Sequence, residues 1–91
     1  MQSILQTEKA CWVCGKTKYL ESHHCFGGNP NRANSEKYGL KVWLCPEHHR
    51  GNNGVHNGGE LMEMLHKAGQ KEFEKTHSRE EFMKVFGKNY L

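Results

Sequence analysis

The sequence contains no aspartate, and all ten of its acidic residues are glutamate. A metal site in this chain must therefore take its ligands from histidine, cysteine and glutamate. The chain also lacks the run of about twenty apolar residues that a membrane-spanning helix needs, so we expect no membrane partner. Residues 1–9 lack the basic and apolar regions of a secretory signal. We therefore expect a cytoplasmic protein, where a Cys-x-x-Cys pair indicates metal or redox chemistry more often than a disulfide.

The length and the charge distribution limit the size of the fold and the kind of partner that the chain can bind. A chain of 91 residues forms one small domain, in which a metal staple can replace part of a hydrophobic core. The whole excess charge of +3 lies in residues 1–58, whereas residues 59–91 carry six basic and six acidic side chains. A basic half of this kind is typical of a surface that meets phosphates, although scattered surface lysines would give the same balance.

Metal-ligand residues are concentrated in residues 11–56, which hold all four cysteines and five of the seven histidines. Two pairs with two-residue gaps, Cys11/Cys14 and Cys45/His48, lie about thirty residues apart, as in structural zinc sites. In the alternative interpretation, the first pair is redox-active and Cys45 is only a buried apolar residue. The remaining cysteine, Cys25, is predicted to be a core residue.

The apolar pattern predicts a β-hairpin followed by helices. The two strands and a short helix are expected, in chain order, at 17–26, at 40–44 and from Cys45 onward. The segment 32–37 is either an irregular loop or a helical turn. From Glu60 onward, apolar residues recur at helical spacing, and Ser78 with Glu81 forms a capping box that opens a last helix. The sequence thus predicts a small α+β fold with two packing helices at its C-terminal end.

The adjacent histidines His23 and His24 are expected to serve different purposes. Neighbours on a strand point to opposite faces, but at a strand end one can face a metal and the other a substrate. On a helix, His49 points about 100° away from the zinc ligand His48. His23, His49 and His56 can therefore form a second metal site. In a hydrolytic site, such an ion polarises a phosphate while a separate imidazole takes a proton from water.

Together these motifs resemble the HNH endonucleases of the ββα-metal superfamily, which are built on a treble-clef zinc scaffold. The motifs that carry the resemblance are Cys11-x2-Cys14, Glu21-Ser22-His23-His24, Gly27-Gly28 and Leu44-Cys45-Pro46-Glu47-His48-His49. The resemblance implies one nuclease domain over 1–91, with a zinc-stapled ββα-metal core at 11–56 and a helical extension at 59–91. The double histidine resembles the colicin DNase branch, which implies that His23 binds the catalytic ion and His24 is the general base.

The same resemblance implies the remaining ligands of the two ions. His49 and His56 would complete the catalytic site, with Asn53 or water as the alternative to His56. The structural zinc would be held by Cys11, Cys14, Cys45 and His48. The histidine ligands alone do not identify the catalytic ion as Mg²⁺, Mn²⁺, Ni²⁺ or Zn²⁺.

The chain departs from the family pattern at two positions. His48 stands where the fourth zinc ligand is usually cysteine. Gly39-Leu40 stands where the family has Asn-Leu, whose asparagine orients the base loop through backbone hydrogen bonds. That role is therefore vacant, or it passes to Asn34 or another loop residue.

The expected function is metal-dependent hydrolysis of DNA phosphodiester bonds, with Arg32, Lys37 and Arg50 as candidate contacts to the DNA backbone. Small free-standing domains of this family are common in phages and prophages, so the resemblance implies DNA and a phage packaging or recombination protein as partners, in the bacterial host cytosol. Two other functions stay open: a treble-clef DNA-binding module without catalysis, and a structural zinc adaptor for a partner protein. Two further histidines, His66 and His77, are predicted to lie on the surface.

Overall fold

The computed structural model describes residues 2–51, 54–57 and 59–91. Within these residues the chain forms a two-stranded antiparallel sheet, four α-helices and one short 3₁₀ helix, so the predicted α+β class is confirmed. The elements, in chain order, are β1 (Glu21–His24), α1 (Asn31–Tyr38), β2 (Lys41–Leu44), α2 (Pro46–Arg50), the 3₁₀ helix (Val55–Asn57), α3 (Gly59–Phe73) and α4 (Arg79–Phe86). None of the described helices is long and apolar enough to cross a membrane.

The sheet has one core face and one outer face, because side chains alternate along each strand. In the register of the hairpin, His23 lies opposite Val42 and His24 lies opposite Lys41. Val42 is buried, so His23 leaves β1 on the core face, whereas His24 and Lys41 leave on the outer face. The predicted second strand agrees with β2 to within one residue. The first strand was predicted too long, since the backbone of Tyr19 turns to a φ of +58° before β1 begins.

The cysteine knuckle packs against the free edge of β2. Gly15 adopts a φ of +79°, a conformation that disfavours side chains, and its N–H closes the turn on the carbonyl oxygen of Cys11 at 2.9 Å. The N–H of Trp12 donates to the carbonyl oxygen of Trp43 at 2.8 Å, and the N–H of Trp43 donates to the Gln6 side chain at 2.7 Å. These bonds fix the knuckle beside the start of α2.

Helices α3 and α4 form an aromatic core with the chain that follows β1. Four phenylalanines are buried there: Phe26, Phe73, Phe82 and Phe86. Gly69 on α3 permits the close approach, because a Cβ at this position would lie 3.0 Å from the Phe26 ring. The predicted capping box is confirmed: the Ser78 hydroxyl accepts from the backbone N–H of Glu81 at 3.0 Å, and the Glu81 carboxylate accepts from the N–H of Ser78.

The segment 32–37, for which the sequence allowed either a loop or a helical turn, lies within helix α1. This helix is almost entirely polar, and Ser35 is its one fully buried residue. The helix ends at Gly39, which has a φ of +72° and whose Cβ, if present, would clash with the carbonyl oxygen of Gln2. Glycine is therefore required at this position, and an asparagine would not fit.

The prediction that His66 and His77 lie on the surface is wrong. Both are half-buried and belong to the aromatic core. The ring of His66 stacks on Phe26 with centroids 5.3 Å apart, and that of His77 stacks on Phe73 at 4.3 Å. A histidine ring can pack like any other aromatic side chain, on α3 as His66 does or between α3 and α4 as His77 does.

Candidate metal centres

Three cysteines and one histidine meet between the knuckle and the start of α2. Cys11 and Cys14 come from the knuckle, Cys45 precedes the first residue of α2, and His48 lies one turn further on. Their ligand atoms all lie within 4.8 Å of one another. The Sγ atoms of Cys14 and Cys45 are 3.8 Å apart, and the Nδ1 atom of His48 lies 3.2 Å from Cys45 Sγ and 3.8 Å from Cys11 Sγ. This cluster, which we call the Cys₃His cluster, can hold a metal such as zinc.

The spacing of the Cys₃His cluster fits tetrahedral zinc. With Zn–S bonds of about 2.3 Å and Zn–N bonds of about 2.0 Å, tetrahedral angles place neighbouring sulfurs about 3.8 Å apart and sulfur and nitrogen about 3.5 Å apart. The observed separations of 3.2 to 3.8 Å lie within about 0.3 Å of these values. A disulfide requires about 2.05 Å, and all four cysteines are free thiols. The predicted ligand set for structural zinc is thus present as a group.

The surroundings of Cys11 and Cys25 shift the pKa values of the two thiols in opposite directions. Burial opposes ionisation of Cys11, but hydrogen bonds from the backbone of Cys45 and of the knuckle outweigh it and lower its pKa to about 6. Cys25 lies outside the cluster, and burial raises its pKa to about 12. A thiolate is the form that binds metal, so Cys11 is suited to ligation and Cys25 is suited to the core.

A second group of ligand atoms, which we call the His₃ cluster, consists of His23, His49 and His56. Its ligand nitrogens lie within 4.8 Å of one another, and the Nε2 atoms of His49 and His56 are 2.9 Å apart. The three side chains come from different elements: β1, α2 and the 3₁₀ helix. His49 reaches this cluster because it follows His48 directly and the helical turn aims it away from the Cys₃His cluster.

The carboxylate of Glu21 orients one ligand of the His₃ cluster through a hydrogen bond to the ring nitrogen that faces away from the cluster. Its Oε1 atom lies 2.8 Å from Nδ1 of His49, which leaves Nε2 of that ring to face the cluster. A carboxylate on the far nitrogen of a histidine fixes the ring and makes it a better ligand. The hydrogen bond from His49, and then that from Arg50, lower the pKa of Glu21, so the carboxylate is ionised. Glu21 belongs to the Glu21-Ser22-His23-His24 motif, but its contact with His49 was not predicted from the sequence.

One ligand of the His₃ cluster, His23, is held in the neutral form that metal binding needs. Burial first, and then the proximity of His49 and His56, lower the pKa of His23 to about 4. A neutral imidazole offers a lone pair, whereas a protonated one does not. His56 is exposed, so one side of this cluster is open to solvent. Among the described residues, the Cys₃His cluster has four ligands, as structural zinc sites do, and the His₃ cluster has three, as open catalytic sites do.

His24 does not belong to either cluster. Its Nε2 atom lies 2.9 Å from Oε1 of Glu36 on α1, and the other carboxylate oxygen of Glu36 lies 2.8 Å from Nζ of Lys41. The His24 ring borders a surface groove of about 560 Å³, which is lined by His24, Gly28, Asn29, Arg32, Ala33 and Glu36. The two neighbouring histidines of β1 thus serve different sites, on opposite faces of the hairpin.

Ser35 holds the chain that follows His24. Its buried hydroxyl donates to the carbonyl oxygen of Phe26 at 3.0 Å and accepts from the N–H of the same residue at 3.2 Å. Asn34, the candidate for the missing family asparagine, instead donates to the carbonyl oxygen of Val85 on α4 at 3.2 Å. The backbone beside His24 is therefore fixed by a serine of α1, which sequence reasoning did not identify.

The three candidate DNA contacts occupy different surroundings. Arg32 is exposed and lines the His24 groove. Arg50 is exposed and pairs with Glu21, with its terminal nitrogen 2.9 Å from Oε2. Lys37 lies with Nζ 5.5 Å from the ring centroid of Tyr38. The alternative ligand Asn53 lies outside the described residues.

Comparison of the chain with models of protein families, with curated proteins and with solved structures returned no match. Assignment to the HNH family therefore stays a prediction that rests on the residues of this chain.

Proposed function

We propose that this protein is a metal-dependent endonuclease of the HNH type, which hydrolyses phosphodiester bonds in DNA. In this proposal, β1, β2 and α2 form the ββα-metal core, and the Cys₃His cluster is the zinc staple of a treble clef. The observation that carries the proposal is the His₃ cluster: three imidazole side chains converge near the four-ligand Cys₃His cluster, and the exposed His56 leaves one side open.

The donor set of the His₃ cluster fits a divalent ion that works on phosphate. Imidazole nitrogens suit Zn²⁺ and Ni²⁺, and three of them leave room for a further oxygen ligand. A divalent ion bound there would polarise a phosphate and stabilise the developing charge on the leaving oxygen. The chain supplies the support, since Glu21 fixes His49 through Nδ1.

The remaining steps fall to side chains around β1. His24, as general base, takes a proton from the attacking water. Arg32 borders the same groove and provides a positive charge for the DNA backbone. The general base thus acts from the end of the strand that also carries the ligand His23.

The proposed partners rest on the resemblance to HNH endonucleases alone. DNA is the substrate, and a phage packaging or recombination protein in the bacterial cytosol is the candidate protein partner. The excess of positive charge in residues 1–58 supports contact with a polyanion.

Two observations favour a second candidate, a zinc-containing DNA-binding module without catalysis. The His24 side chain is engaged by Glu36, and Gly39 excludes the family asparagine by its close contact with Gln2. In this alternative, Arg32 and the neighbouring groove bind DNA, and the His₃ cluster has no role in hydrolysis.

Cleavage of supercoiled plasmid tests the proposal. The zinc-loaded protein is incubated with plasmid and with Mg²⁺, Mn²⁺, Ni²⁺ or Zn²⁺ in turn, beside His49→Ala and, as a matched histidine control, His77→Ala. We expect wild type and His77→Ala to nick or linearise the plasmid with at least one ion, and His49→Ala to lose cleavage at least 100-fold, because a ligand and its Glu21 support are lost together. A gel shift without cleavage under every ion would favour the binding module.

A further inference from the structure

Helix α1 brings a carboxylate to the ring of His24 with defined geometry. Glu36 Oε1 lies 2.9 Å from Nε2 of His24, and Oε2 lies 2.8 Å from Nζ of Lys41. Lys41 stands directly opposite His24 in the hairpin register, on the same face of the sheet. The three side chains form a chain of contacts from a strand, through a helix, to the neighbouring strand.

This arrangement fixes the orientation of the carboxylate. Lys41 occupies one oxygen of Glu36, so the other oxygen is directed at the imidazole. The hydrogen bond from Lys41, and then that from His24, lower the pKa of Glu36 to about 2, so the carboxylate stays ionised and can only accept hydrogen bonds. In a neutral imidazole the hydrogen must then lie on Nε2, which leaves the lone pair on Nδ1.

We propose that Glu36 is a positioning residue for His24, which holds the hydrogen on Nε2 so that Nδ1 is the atom that takes the proton from the attacking water. This inference rests on the proposed nuclease function. Glu36 touches neither water nor phosphate; it orients the ring and balances the positive charge that the ring gains, as the aspartate does in a catalytic triad.

The step balances as an ordinary hydrolysis. An O–H bond of water breaks, its proton passes to Nδ1, and the water oxygen bonds to phosphorus as the bond to the leaving oxygen breaks. The leaving oxygen takes a proton from solvent, and His24 returns its proton to solvent. The hydrogen bond from Lys41 makes the Glu36 carboxylate a weaker base, so it stabilises the imidazolium without removing the Nε2 hydrogen.

The backbone contacts of α1 support the same role. Ser35, the neighbour of Glu36, binds both backbone groups of Phe26, two residues after His24. The N–H of Cys25 donates to the carbonyl oxygen of Leu40 at 2.8 Å, and the N–H of Leu40 donates to that of Ser35 at 2.8 Å. One short helix therefore fixes both the ring of the base and the chain that carries it.

The test compares Glu36→Gln with Glu80→Gln, the same chemical change on an exposed side chain of α4. Plasmid cleavage gives kcat and KM, and ¹H–¹⁵N spectra of histidine-labelled protein report the ring N–H of His24. For Glu36→Gln we expect kcat to fall about 10- to 100-fold, part of what a general base contributes, with KM, zinc content and melting temperature unchanged. The hydrogen-bonded Nε2–H signal should be visible in wild type and Glu80→Gln and lost in Glu36→Gln.

Two results would overturn the inference while the nuclease function stands. The first is an unchanged or increased kcat in Glu36→Gln, the increase meaning that Glu36 holds His24 away from the reaction. The second is an unchanged Nε2–H signal in that variant. If wild type cleaves no DNA with any ion, the nuclease function itself fails and the positioning role fails with it.

Discussion

Replacement of Cys45 by alanine is expected to remove the structural zinc and to unfold the hairpin with α2. Cys45 is 1% exposed and lies within 3.8 Å of two other ligand atoms, so its loss leaves a three-ligand site in which Cys14 is exposed to solvent. Structural zinc binding is worth about 10–16 kcal/mol in small zinc domains, whereas whole domains are stable by about 5–15 kcal/mol. The zinc-free chain should therefore not fold cooperatively.

Cys25→Ala provides the matched control for this experiment. Cys25 is as buried as Cys45, but it lies outside the Cys₃His cluster. Its replacement should cost about 1–2 kcal/mol of unfolding free energy and leave the zinc content intact. Circular dichroism on heating and zinc analysis by mass spectrometry measure both variants. Equal melting temperatures and equal zinc contents for the two variants would show that the cluster does not hold the fold together.

Replacement of His24 by alanine is expected to reduce DNA cleavage about 100- to 10,000-fold, the range of a general base in hydrolysis. His24 lies outside both metal clusters, so both ions and the fold should be retained. The variant is compared with wild type in single-turnover cleavage of a labelled duplex, with metal content measured on the same samples. His77→Ala serves as control, because it removes a half-buried histidine of the aromatic core.

The outcome for His24→Ala separates catalysis from binding. Lost cleavage with retained DNA affinity would assign His24 to the chemical step. Cleavage at the wild-type rate would show that another group takes the proton, and the role inferred for Glu36 would then have no target. Lost cleavage together with lost zinc would instead indicate a structural effect.

The second strand, the short helix after Cys45 and the capping box of α4 were predictable from sequence, because each depends on local chemistry. Alternating apolar residues mark β2, proline suits the first turn of α2, and Ser78 with Glu81 satisfies two backbone groups of α4. The grouping of Cys11, Cys14, Cys45 and His48 was equally predictable, since ligand spacing reflects the geometry of zinc.

Helix α1 could not be predicted from apolar periodicity. It buries only Ser35 and carries no apolar stripe, so its sequence does not differ from that of a polar loop. The contacts that depend on α1 were therefore also missed: Glu36 at His24, and the Ser35 hydroxyl at Phe26. Both can be seen only when the helix is placed beside the strand end.

The support that Glu21 gives to His49 depends on long-range structure in the same way. The two residues are 28 positions apart, and only the hairpin and α2 bring them together. Likewise, the sequence can place His23 and His24 on opposite faces of a strand, but it cannot show that α1 supplies the partner of one and α2 the partner of the other.

Native mass spectrometry of the protein reconstituted with Zn²⁺ tests most directly whether the chain has two metal sites of different kinds. We expect two ions per wild-type chain, of which a mild chelator removes one while the fold persists. His49→Ala should hold a single ion, and that ion should resist the chelator. A wild-type chain that takes up only one ion at saturating Zn²⁺, or a His49→Ala variant that still holds two, would contradict the assignment of His23, His49 and His56 as an open metal site.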